Sequence, residues 1–105
     1  MNTIQDLAGE CTKALVAAFP IEDVWLLEAN AAKECGLKSP ANLILIVPDD
    51  SQAHVVERAA LEMIRKQLDW NGIDVFGFSL SAITRTPRPL LLKMALSSGR
   101  NIYSG

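Results

Sequence analysis

Leu43 to Val47 is an unbroken aliphatic run, opened by Asn42 and closed by Pro48. A strand with one wet face alternates apolar and polar side chains, whereas a run without alternation belongs to a strand covered on both faces. Val24 to Leu27 has the same character, and a polar stretch separates the two runs. Strands buried on both sides need helices above and below them. That requirement sets the expected class: α/β, a small mixed sheet of three to four strands flanked by helices.

The remaining segments supply the covering layers. Ile4, Leu7, Cys11, Leu15, Ala18 and Phe19 recur at helical spacing, which predicts a helix over about Thr3 to Ala18, capped by Asn2 or Thr3 and stopped before Pro20. Glu28 to Glu34 holds good helix formers, and Gly36 with Lys38-Ser39-Pro40 breaks that pattern. A long helix follows from Ser51 to Leu68. Its apolar stripe is Val55, Val56, Ala59, Ala60, Met63, Ile64 and Leu68, and Glu62 and Lys66 form a pair four apart on its outer side. Asp49 and Asp50 stand where carboxylates favour a helix start, and His54 lies in the first turn. After the turn Trp70-Asn71-Gly72 comes a third strand, Ile73 to Phe78, with Asp74 near its start and Gly77 marking a bulge or a close backbone approach. Pro89 opens a last helix, Leu90 to Ser98, which Gly99 ends; Ile102-Tyr103 then packs back on the body.

A length of 105 residues makes one domain, residues 1–105, with one compact interior. Net charge is -2, and the sequence offers no basic stripe, so nucleic acid is a poor fit as partner. Residues 1–20 have neither a basic leader nor a continuous apolar segment, and no apolar run approaches the roughly 18 residues a membrane span needs. The expected setting is cytoplasmic, away from membranes. Cys11 and Cys35 lack metal-ligand or redox spacing and read as ordinary reduced thiols. With half of the residues apolar, there is surplus hydrophobic surface for a homo-oligomer or a protein partner.

The central stretch, Val24 to Asp50, resembles the minimal nucleotidyltransferase domains of the DNA polymerase β superfamily. In that family a strand ends in Gly-Ser, ten residues intervene, Asp-x-Asp opens the next strand, and a third Asp lies on a later strand beyond a long helix. Here Val24-Trp25-Leu26-Leu27 leads into Glu28-Ala29 at the Gly-Ser positions, Asn30 to Ser39 fill the interval, and Pro40-Ala41-Asn42 take the Asp-x-Asp positions. Leu43 to Asp50 resembles the second strand and its exit, Ile73-Asp74-Val75 the strand of the third carboxylate, and Leu91 to Tyr103 the C-terminal helix and tail. The resemblance covers about residues 20–105 and implies a nucleotidyltransferase-like fold.

It also implies a degenerate site. The family's glycine admits a triphosphate, its serine and loop amides bind phosphate oxygens, and its three carboxylates hold two Mg²⁺ ions. Pro40 has no ligand atom and Asn42 only a neutral oxygen, which leaves Asp74 as the single retained carboxylate. Glu28 facing a phosphate at about 4 Å would add repulsion on the order of 4 kcal/mol per unit charge. Glu28, Ala29, Pro40, Asn42 and Asp74 are thus degenerate positions: no catalytic residue, no cofactor and no metal are expected, Asp74 being a weak metal candidate. The expected role is a pseudoenzyme used as a binding or regulatory module, antitoxin-like, and the resemblance implies a small helical HEPN-type partner as in toxin–antitoxin pairs. One alternative is a nonstandard Mg²⁺-dependent nucleotidyltransferase using Asp74 with Glu28 or Asp49 on a nucleotide, with Glu34 as a further replacement ligand. Another is an unrelated small α/β domain, marked by strands Val24 to Leu27 and Asn42 to Val47 not being neighbours. Arg85, Arg88 and Arg100 are candidates for a phosphate-facing cluster, although spaced arginines in an acidic chain more often form a solvated rim.

Overall fold

The computed structural model describes residues 3–29, 33, 36, 37 and 39–105. In chain order the elements are α1 (Ile4–Ala18), β1 (Asp23–Glu28), β2 (Ala41–Val47), α2 (Asp50–Gln67), β3 (Ile73–Ser79), α3 (Leu80–Thr84), α4 (Leu90–Ser98) and β4 (Arg100–Ser104). The sheet is four-stranded in the order β3-β2-β1-β4. β1 is antiparallel to both β2 and β4, and β2 is parallel to β3 with α2 as the crossover. The fold is therefore the α/β, helix-flanked mixed sheet expected, and β1 and β2 are neighbours.

The central strands β1 and β2 are covered on both faces. Val24 and Leu26 of β1, with Leu43, Leu45 and Val47 of β2, turn toward α1 and α2. The alternate residues, Leu27, Ile44 and Ile46, meet Ala82 of α3 and Leu92 and Ala95 of α4. Every residue of β2 is buried, which is the cause of its unbroken apolar run. Trp25 packs against the α3–α4 side and Trp70 against the other, both as aromatics at a core edge.

Local chemistry fixes the helices. Thr3 caps α1 through a capping box: its Oγ1 accepts from the Asp6 N–H at 3.1 Å, and Asp6 Oδ2 accepts from the Thr3 N–H at 3.3 Å. Glu62 and Lys66 are bonded at 2.6 Å on the wet side of α2. The stripe assigned to α2 is too wide, because Val55 is 66 % exposed while Val56, Ala60 and Ile64 are buried. Gly77 marks a close approach: a Cβ there would stand 2.3 Å from the Ala53 carbonyl oxygen, so α2 lies directly on β3. The helical segment expected over Glu28 to Glu34, and Cys35, fall largely outside the described residues, apart from strand-ending Glu28, Ala29 and Lys33.

Candidate functional site

Three strands bring the predicted positions to one end of the sheet. The pairing Leu27↔Asn42 between β1 and β2, and Asn42↔Asp74 between β2 and β3, puts Asn42 and Asp74 side by side in one row. Ala29 closes the end by donating its N–H to the Pro40 carbonyl at 3.2 Å. Glu28 belongs to the next row, with Ala41 and Ile73, whose side chains alternate to the opposite face. Glu28 is exposed, as is Pro40.

Asn42 is fully buried, and its amide is committed to the backbone. Nδ2 donates to the Leu27 carbonyl and to the Ser39 carbonyl, each at 3.1 Å. These two acceptors fix which end of the amide is nitrogen. Oδ1 is buried and has no partner among the described residues. Asp74 is half-buried and tied at both oxygens: Oδ2 accepts from Ser39 Oγ at 2.5 Å, and Arg65 Nη2 of α2 stands 3.8 Å from Oδ1. Sequence reading passed over Ser39 and Arg65. Ser39 was visible only as part of a loop break, and nothing local links Arg65 to a residue on the following strand.

At this end, then, one carboxylate lies beside one amide, with a hydroxyl donating to the carboxylate and a guanidinium near its second oxygen. Asp49, offered as a partner for Asp74 in the enzymatic alternative, lies at the other end. It follows the last residue of β2, whereas Asp74 pairs with the second residue of that strand. At about 3.3 Å per residue the two are separated by roughly 20 Å, so they cannot hold one ion together. Glu34 lies outside the described residues.

The opposite end, beyond the carboxyl termini of parallel β2 and β3, holds a second polar cluster. Asp50 Oδ1 accepts from Ser79 Oγ and, at 2.7 Å, from Ser81 Oγ, while the two hydroxyls are 2.9 Å apart. These bonds, from Ser79 first and Ser81 second, hold the Asp50 carboxyl below its ordinary range, with Arg85 adding to the effect. A cleft of about 320 Å³ opens here, lined also by His54, Phe78 and Arg85. Asp49 is the N-cap residue of α2 and Asp50 stands in its first turn, as expected of the pair; Asp49 makes no side-chain cap bond, however, and Asp50 also joins the start of α2 to the end of β3. The serine hydroxyls are donors to a carboxylate, so the cluster acts as a clasp between two elements.

The three arginines are not gathered. Arg85 and Arg88 follow α3 beside β3, and Arg88 Nε donates to the Ile83 carbonyl, whereas Arg100 opens β4 on the far edge of the sheet. Among the described residues no group of three or more His, Cys, Asp or Glu is placed to hold a metal ion, and no helix is long and apolar enough to cross a membrane. No protein-family model, no characterised protein and no solved structure matches this chain significantly.

Proposed function

We propose that the chain is a catalytically degenerate nucleotidyltransferase-like domain that serves as a binding or regulatory module in the cytoplasm, joined to a protein partner or to copies of itself. The observation that carries this reading is Asn42. At the position where the resemblance calls for a metal-binding carboxylate, a buried amide donates to two carbonyl oxygens, of Leu27 and Ser39. An aspartate in the same place would turn acceptors toward acceptors. The strand start is built on the neutral residue and works against the charged one. Asp74 supports the reading too, since one of its oxygens is held by the Ser39 hydroxyl and the Arg65 guanidinium stands near the other.

Isothermal titration with ATP and Mg²⁺ tests this directly. No Mg²⁺-dependent binding is expected. Micromolar, Mg²⁺-dependent binding that disappears in Asp74→Ala would restore the enzymatic reading. The HEPN-type partner implied by the resemblance is tested separately, by asking whether a small all-helical protein encoded beside this chain co-purifies with it.

A further inference from the structure

We infer that Asn71 is a self-modification site: its side chain closes on the Gly72 nitrogen, releases ammonia and, with water as the only co-reactant, leaves an aspartyl or isoaspartyl residue in the turn before β3. The inference is independent of the proposed function.

The turn combines what this chemistry needs. Asn71 is exposed and lies outside both α2 and β3. The next residue is glycine, with no Cβ to obstruct approach to its nitrogen. The Gly72 N–H also takes no part in the turn and loop bonds of the main chain among the described residues. The asparagines of the sheet lack this combination. Asn42 is fully buried, with Nδ2 on two carbonyl oxygens and Leu43 following it inside β2. Asn101 gives its Nδ2 to the Val24 and Tyr103 carbonyls and precedes the β-branched Ile102 in β4.

The atoms balance without an oxidant or a cofactor. The Gly72 nitrogen attacks Cγ of Asn71, the new C–N bond closes a cyclic imide, and the side-chain nitrogen leaves as ammonia with the proton that Gly72 gives up. Water then opens the ring. Attack at Cγ leaves an aspartate on the original main chain, whereas attack at the main-chain carbonyl of residue 71 leaves an isoaspartate, whose main chain runs on through Cβ and Cγ. Either product adds one negative charge to a chain whose net charge is -2.

The fold decides what the longer main chain does. On one side of the turn, Trp70 is packed against the core. On the other, Ile73 is fully buried and opens the β2–β3 pairing opposite Ala41. Only Asn71 and Gly72 join these anchors. Gly72 is itself confined, since a Cβ there would stand 3.2 Å from Trp70 Nε1 and 3.6 Å from Pro40 Cγ. An additional main-chain carbon in so short a link pushes on Trp70 or on the Ile73 and Asp74 end of β3. Aspartate adds charge without length and leaves the link as it is.

Storage of the full chain in mildly alkaline heavy-oxygen water, followed by mass spectrometry of the tryptic peptide between Lys66 and Arg85, tests the inference. Conversion at Asn71 is expected at least about tenfold faster than at Asn101, with heavy oxygen entering the new carboxyl group. Asn71→Gln should stay folded by circular dichroism and stop the reaction. Once separated, the isoaspartyl form should melt about 4 °C or more below Asn71→Asp. A folded chain that keeps Asn71 intact while the same chain in urea converts overturns the inference, as does conversion no faster than that of Asn101. Equal melting of the isoaspartyl form and Asn71→Asp overturns the part assigned to the short link.

Discussion

Asn42 shows how one buried side chain can hold a strand end. Its Nδ2 has two carbonyl partners, while its Oδ1 is buried without a donor among the described residues. Asn42→Asp should destabilise the fold by about 3 kcal/mol, because the donors vanish and a charge is buried facing carbonyl oxygens. Urea denaturation would read this as a lower midpoint at unchanged slope; an unaltered midpoint would show that the amide bonds are dispensable. Cys11 is a second testable residue, buried in the α1 face of the core, where burial first and Glu10 second push its thiol up to about 11. Its folded pKa is raised, so the contribution to stability is complete below the ordinary value of 9.0 and is lost as pH climbs through about 11. In a Cys35→Ser background, the native protein should resist Ellman's reagent at pH 8 and react only with the rate of unfolding. Fast native-state labelling would contradict the burial. Asn42 was legible as the residue that opens a buried strand; the tie from Ser39 to Asp74 was not, since it joins residues 35 apart that no local pattern connects.

Among the elements, α1, β2, β3 and the last helix were readable from period and punctuation, since their apolar faces are complete within one segment. β4 was seen only as an apolar tail. Its sequence, RNIYS, is short and mostly wet, and what makes it a strand is the waiting edge of β1. α3, five residues long, carries too few turns for a periodic signal. Val55 was misread for the opposite reason: a stripe drawn from sequence takes in every apolar residue near the face, while β3 and β2 cover only the part centred on Val56, Ala60 and Ile64. Glu57 lies on this same helix and reaches the β3 edge. Glu57→Ala should cost about 1 kcal/mol through the lost bond to the Gly77 N–H and should raise thioflavin-positive aggregation on gentle heating. Equal aggregation in the two proteins would mean that the edge is protected by something else.

At the scale of the whole molecule, the order of strands decides which parts depend on which. β2 is central and buried along its length, flanked by a parallel neighbour and an antiparallel one. β1 has its second neighbour at the far end of the sequence, and the Asn101 bond to the Val24 carbonyl spans 77 positions. A chain cut after Gly99 should therefore lose cooperative unfolding in calorimetry, although it keeps α1 to α4 and three of the four strands. A sharp, barely shifted transition would show that β4 is an appendage. The same connection gives the protein a timetable during synthesis. β1 is made well before β4, and its outer flank stays bare while the elements between them are made. Contacts this distant form slowly. A chaperone that shields a single exposed strand would have its longest engagement with Asp23 to Glu28, and stalling of translation before Arg100 would leave that strand open to a foreign one.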